Sequence, residues 1–218
     1  MPPVQAITFD VGDTLIQPWP SVGHLYAEVA ARHGLKHHTP ETLNRRFANA
    51  WKKLKDFHHK REEWATLVAE TLGENRCKID AFFPELYDEF AQTRAWRIFD
   101  DVLPMLNHLA SHGVNLAIVS NWDERLRPLL AGFGLHKYFE TIIVSCETGF
   151  TKPSPVMFEL AARKLGLPPE CILHVGDSLE HDVAGAKSAG FQALQIDRDA
   201  KSAGEGQILS LKELEKFA

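Results

Sequence analysis

The chain has 218 residues, of which 44% are hydrophobic and 24% charged, and a formal net charge of −5. Those values describe a globular protein with room for one core and a sizeable insertion, and they exclude the basic excess with which nucleic-acid binders displace counterions from phosphate. Three scattered cysteines, Cys77, Cys146 and Cys171, exclude a disulfide framework or a zinc knuckle and suit a reducing cytoplasm. The start, Met-Pro-Pro-Val-Gln, has no charged segment followed by an apolar run, and no apolar run approaches the roughly 20 residues that cross a bilayer, so neither a secretion signal nor a membrane anchor is expected.

Strand one is expected from about Val4 to Phe9, running into the turn Asp10-Val11-Gly12-Asp13-Thr14-Leu15. From Trp19 to Arg97 the periodicity is helical only. A first helix is expected over about Val22 to His33. A second follows Thr39-Pro40, with Thr as cap and Pro at the first position. Its stripe Leu43, Phe47, Trp51, Leu54 and Phe57 reads as core. A third covers about Arg61 to Leu72 and a fourth about Ile79 to Thr93. The adjacent pairs His37-His38 and His58-His59 lack metal-ligand spacing, because neighbours on a helix point about 100° apart.

After Asp100 strands and helices alternate. A helix over about Val102 to His112 precedes strand two, Val114 to Val119, which delivers Ser120 and Asn121. A helix (about Glu124 to Gly132), strand three (Thr141 to Ser145) and the segment Lys152-Pro153-Ser154-Pro155 leading a helix to Leu165 come next. Strand four, Ile172 to Val175, runs into Gly176-Asp177-Ser178, with Asp182 five residues beyond Asp177. A helix to Ala189, strand five (Gln192 to Ile196), a flexible loop over Lys201 to Gly206 and a C-terminal helix with the capping box Ser210/Glu213 complete the chain. Alternation of this kind predicts βαβ units and a parallel sheet with helices on both faces. The fold class is therefore α/β, a Rossmann-like core of residues 1–16 and 98–218 with an all-helical cap of about four helices over residues 17–97. The insert is slightly basic and the remainder acidic.

In a parallel sheet the strand ends collect Asp10, Ser120, Asn121, Asp177 and Asp182 at one edge, together with Lys152. Three carboxylates that close repel one another, so a divalent cation or a lysine must join them. Magnesium takes oxygen ligands and keeps water, which suits two carboxylates and a phosphate oxygen. Lys152, Ser120 and Asn121 would hold the other phosphate oxygens. Trp122 and Glu147, on the loops after strands two and three, are candidates to line the entrance. His174, inside a buried strand pattern, reads as a satisfied core histidine.

Four ordered motifs, Phe9-Asp10-Val11-Gly12-Asp13-Thr14-Leu15, Val119-Ser120-Asn121, Lys152-Pro153-Ser154-Pro155 and Gly176-Asp177-Ser178 with Asp182, resemble those of the haloacid dehalogenase-like hydrolase superfamily with a type-1 helical cap. The resemblance spans essentially the whole chain. It implies that Asp10 is a nucleophile forming an aspartyl-phosphate, that Ser120 binds phosphate, and that Lys152 neutralises both. It makes Asp10, Asp177 and the backbone carbonyl of Gly12 ligands of Mg2+, while Asp182 binds metal through water or orients the lysine. One position departs from the pattern. The family's phosphatases carry an aspartate two residues after the nucleophile, then glycine; that aspartate protonates the leaving oxygen and later activates water. Here Gly12 and Asp13 are inverted, and in an extended chain Asp13 would face away from Asp10.

The expected function is Mg-dependent hydrolysis of a small phosphorylated metabolite through Asp10, weak or restricted to good leaving groups, with Asp13 as a substitute acid to be tested. Loss of a general acid–base group costs about 10²–10⁴ in rate. One alternative is a non-catalytic or regulatory member that binds a phosphometabolite or a protein partner, although nothing in the sequence specifies such a partner. A second is a haloacid dehalogenase, which Asp177 and Asp182 disfavour. Phosphonate-cleaving members use a cap lysine as a Schiff base, and among Lys52, Lys53, Lys55 and Lys60 none stands out.

Overall fold

The computed structural model describes residues 2–35, 38–54, 57–74 and 76–217, with only the backbone for 76–78. His37, Lys55 and the side chain of Cys77 lie outside the described residues. By their internal contacts the residues form two units: Met1–Ile16, Ile98–Glu124 and Gly134–Ala218, and Gln17–Arg97 with Arg125–Phe133.

The first unit is built on strands β1 (Ala6–Phe9), β4 (Asn115–Ser120), β5 (Thr141–Val144), β6 (Ile172–Gly176), β7 (Gln192–Ile196) and β8 (Gln207–Ile208). They lie in the order β5-β4-β1-β6-β7-β8, every neighbouring pair parallel. The fold is a Rossmann-like α/β sheet with flanking helices. Every residue of β1 is fully buried, which is why this central strand is an apolar run without alternation. In register, Phe9 sits opposite Ile118 of β4 and Val175 of β6. The three strands therefore end together, and the residues that follow them emerge at one sheet edge.

Around this sheet run α5 (Val102–Ser111), α7 (Ser145–Thr148), α8 (Pro155–Leu165) and α9 (Gly185–Ser188). Met157, Phe158, Ala161 and Leu165 of α8 pack with Val119, Ile143 and Ile172 of the sheet. Two segments expected as α-helix differ. Leu179–Ala184 is a π-helical turn ahead of α9, a form concentrated at functional sites. Leu211–Phe217 is 3-10 helix: the Ser210 hydroxyl caps it by accepting from the Lys212 N–H at 3.3 Å while donating to Asp101 at 2.7 Å, and Glu213 accepts from the backbone N–H groups of Leu209 and Ser210. Strands β2 (Ile16–Pro18) and β3 (Trp96–Ile98), which form a separate two-stranded sheet, and the two-residue β8 are too short for alternation to reveal.

The second unit holds α1 (Val22–Arg32), α2 (Pro40–Trp51), α3 (Arg61–Leu72), α4 (Arg76–Glu89) and α6 (Leu126–Gly132). Thr39 caps α2 by accepting from the Thr42 N–H, with Pro40 at the first position, and α3 ends on Gly73 at φ 68°, the left-handed stop that favours glycine. Tyr26, Val29, Leu43, Val68, Leu72, Phe82 and Leu86 form its core. The α2 stripe is not core along its length. Leu43 is fully buried while Trp51 is 40% exposed, its ring stacked against Phe47 and Trp64 at 5.8 Å. Spacing reports which face a side chain shares, not how far the helix extends beyond its neighbours.

Candidate active site

The turn after β1 is held by its own backbone. Asp10 N–H donates to Val175 O (2.9 Å), Val11 O accepts from Leu15 and Ile16, and Asp13 N–H donates to Ile16 O (2.8 Å). Asp13 takes φ 51°, a left-handed conformation that costs most L-residues 1–2 kcal/mol and that aspartate tolerates better than most. Gly12, by contrast, is not among the positive-φ residues. The inverted pair thus puts a side chain where the turn favours glycine, and a glycine where the backbone asks for none. Asp10 is buried and Asp13 exposed.

Lys152 is buried and its ammonium bridges two carboxylates, donating to Asp10 Oδ1 (2.6 Å) and Asp182 Oδ1 (2.5 Å). Asp182 is saturated further: His174 Nε2 lies 3.0 Å from Oδ1, and Ser178 N–H donates to Oδ2 at 2.9 Å. An ionised carboxylate only accepts, so His174 carries its proton on Nε2 and accepts from Thr8 Oγ1 at Nδ1 (2.8 Å). Gly176 makes room for this: a Cβ there would fall 2.2 Å from Asp182 Cγ. Burial alone would raise the Asp182 pKa, but the Lys152 charge and the His174 hydrogen bond outweigh it and hold it below the usual range. Burial would lower Lys152; Asp10 and Asp182 outweigh it and raise it. Asp10 is raised, by burial first, with Lys152 opposing and Asp182 reinforcing. Buried His174 is lowered, chiefly by desolvation, which keeps it neutral.

Asp177 completes the group. One ligand oxygen from each of Asp10, Asp177 and Asp182 can be chosen so that all lie within 4.8 Å of one another. The half-buried Asp177 has no ion-pair partner among the described residues. Its pKa is pushed up to about 8 by burial and then by the charges of Asp10, Asp182 and Asp13. One lysine shared by two carboxylates leaves the third uncompensated. The donors are all oxygen, which fits a hard divalent cation such as magnesium.

Ser120, at the end of β4, is 1% exposed, and its Oγ has no hydrogen-bond partner among the described residues. It lies close enough to favour the charged form of Asp10, without the geometry of a full hydrogen bond. An orphaned buried hydroxyl costs about 1–3 kcal/mol, so the site holds a donor with no acceptor. Asn121 is engaged differently: its carboxamide accepts from Lys152 N–H (2.7 Å) and donates to Lys152 O (3.1 Å), fixing the backbone of the lysine. Trp122 stands beside the nucleophile turn, its Cζ3 3.4 Å from where a Cβ on Gly12 would be. Thr14 O accepts from Arg198 Nη2 at 2.7 Å.

The haloacid dehalogenase-like hydrolase family model matches residues 4–190. The chain belongs to this family. It is 28% identical to the human haloacid dehalogenase-like hydrolase domain-containing protein 3 over 88% of this chain and 82% of that one. A glyceraldehyde 3-phosphate phosphatase from Methanopyrus kandleri is 36% identical over 46% of this chain and 43% of its own. A HAD phosphatase crystal structure from Thermococcus onnurineus superposes with a TM-score of 0.72 at 25% identity, covering 98% of this chain and 97% of that one. The chain is thus a hydrolase of a family that includes phosphatases.

Within this haloacid dehalogenase-like fold, Asp10, Ser120, Lys152, Asp177 and Asp182 meet at one edge. Asn121 meets them through Lys152, and Asp13 lies at the exposed side of its turn. The sequence alone assigned no role to the Thr8–His174–Asp182 chain beyond a satisfied core histidine at 174. Its only signal was one histidine, two residues before Gly176, in an otherwise apolar strand. Nor did it tie Trp122 to Gly12, a contact between residues from two loops.

Proposed function

We propose that the protein is a Mg2+-dependent phosphatase-type hydrolase of small phosphorylated metabolites, with Asp10 as nucleophile. The carrying observation is the Lys152 ammonium shared between Asp10 and Asp182, with Asp177 beside them and without an ion-pair partner among the described residues. Lys152 holds Asp10 Oδ1, which leaves the second oxygen to attack phosphorus. The new O–P bond forms as the bond to the substrate oxygen breaks, and that oxygen departs with the electron pair. Water then cleaves the aspartyl-phosphate, returning Asp10 and inorganic phosphate. Asp10, Asp177 and the Gly12 carbonyl would hold magnesium, with Asp182 acting through the lysine or a water; when bound, the metal supplies positive charge to offset that of the transferring phosphoryl group. Ser120 Oγ donates to a phosphate oxygen, giving its buried hydroxyl a partner. Asn121 serves by fixing Lys152.

Because Gly12 supplies no acid, substrates whose oxygen leaves without a proton, such as acyl and aryl phosphates, are preferred. The same absence favours a second reading, a member that binds a phosphometabolite without turning it over. Phosphate release from acetyl phosphate and p-nitrophenyl phosphate, with magnesium and with chelator, separates the two. Magnesium-dependent release, lost by a factor on the order of 10⁴ or more in Asp10→Asn and kept within about threefold in Asp13→Asn, is expected. Turnover that survives Asp10→Asn rejects the nucleophile; no turnover with magnesium rejects the hydrolase in favour of the binder. Asp13→Asn as inactive as Asp10→Asn would make Asp13 the missing acid.

A further inference from the structure

The backbone conformation of Gly12 does not require glycine, and what borders the position in place of a side chain is an aromatic ring. A Cβ at position 12 would touch the six-membered ring of Trp122 at 3.4 Å. The family's acid starts at this position and reaches for the leaving oxygen, and here an aromatic ring borders that space. The backbone that carries the ring is held on both sides. Trp122 N–H donates to the buried Ser145 Oγ (3.0 Å), the same hydroxyl donates back to Trp122 O (3.0 Å), and Cys146 N–H donates to Trp122 O (3.2 Å). The loop after β4 is thereby pinned to the start of α7, which holds the backbone that carries the indole beside Gly12.

We infer that Trp122 is the specificity-determining residue for the leaving group, selecting phosphate esters of flat, unsaturated or aromatic alcohols. This rests on the hydrolase reading above and deepens it. A ring carbon carries no exchangeable proton, so the wall at Gly12 cannot protonate an alkoxide. It does offer an apolar surface and an aromatic edge to a planar group, and aromatic pairs prefer edge-to-face or offset contact. An aryl or enol oxygen needs no proton to leave, and the planar group behind it packs on the indole. A compact acyl leaving group also departs unprotonated but has no ring to pack.

The test compares kcat/KM for p-nitrophenyl phosphate and acetyl phosphate, both with magnesium, in the wild type and in Trp122→Ala, Trp122→Leu and Trp122→Phe. Neither substrate needs an acid, so their ratio isolates recognition of the ring. The aryl-to-acetyl ratio should fall about tenfold in Trp122→Ala and Trp122→Leu, mainly through KM for the aryl ester, and stay within about twofold in Trp122→Phe. Trp122→Leu keeps apolar bulk without a ring and covers the case in which alanine unfolds the loop. A ratio unmoved in Trp122→Leu, in a protein that still turns over both substrates, overturns the inference and leaves the hydrolase reading standing. A wild type that hydrolyses neither substrate overturns both.

Discussion

On one flank of Asp10 the chain gathers charge and ties every group down: Lys152 to two carboxylates, Asp182 to lysine, histidine and a backbone N–H, His174 to Thr8. On the other flank there is Gly12, with no side chain, and the ring of Trp122. Buried charge is tolerable only when paired and hydrogen-bonded, so the first flank admits few variations, and a residue lost there leaves a partner stranded. The second presents a glycine and an aromatic ring, and on the inference above exchanging those two residues should alter which substrate is taken more than whether the site holds together. Machinery and preference are thus separable.

Lys152→Met is the sharpest way to break the charged flank. It strands Asp10 and Asp182, and removing one partner of a buried ion pair costs about 3–5 kcal/mol. Chemical denaturation of the sheet unit should register that loss, and phosphate release from acetyl phosphate should fall by on the order of 10³ or more. A variant as stable as the wild type would mean that the two carboxylates take up protons and need no lysine.

Gly12→Asp probes the opposite flank. The backbone at 12 accepts a side chain, and the Cβ meets Trp122 at ordinary contact distance, so the protein should fold. A carboxyl at this position restores a proton donor, and turnover of an alkyl ester such as glycerol phosphate should rise about 10²-fold, the low end of general-acid catalysis. Turnover of acetyl phosphate should change by less than about threefold. A folded Gly12→Asp protein without a gain on the alkyl ester would place the defect elsewhere.

The charged flank was also the legible one. A buried apolar strand ending in aspartate, a lysine before prolines and a Gly-Asp after another strand are each local patterns, and parallel pairing forces their ends to one edge. What stayed hidden depends on orientation. The carboxamide of Asn121 looks like a phosphate donor in sequence, and what the sequence does not show is that it also clamps the Lys152 backbone. Inverting Gly12 and Asp13 looks like a simple swap and proves to put aspartate in a left-handed turn position. The α2 stripe has core spacing, yet Trp51 emerges into an aromatic cluster. The segment Arg125–Phe133, which carries α6, groups with the helical unit although its flanking strands belong to the sheet. Periodicity fixes which residues share a face; the partner of that face is set by residues far away in the chain.

Asp177 offers the mildest and most gradual test, because it is the carboxylate of the group that Lys152 does not hold. Its pKa of about 8 lies well above the ordinary 3.8, raised by burial first and then by Asp10, Asp182 and Asp13. A group raised in the folded state stabilises most below its unfolded pKa, and that contribution is lost as pH rises through the folded value. Cation-free protein should therefore lose stability between about pH 4 and pH 8. A divalent cation binds the ionised carboxylate only, so its affinity should climb with pH, by at most about tenfold per unit, and level off above about pH 8. Thermal melting with magnesium and with chelator, from about pH 6 to pH 9, should show a magnesium-induced rise that grows with pH, and Asp177→Asn should lose both the rise and its pH dependence. A magnesium effect independent of pH in the wild type would mean that Asp177 is already ionised without the metal, and that Lys152 alone compensates all three carboxylates.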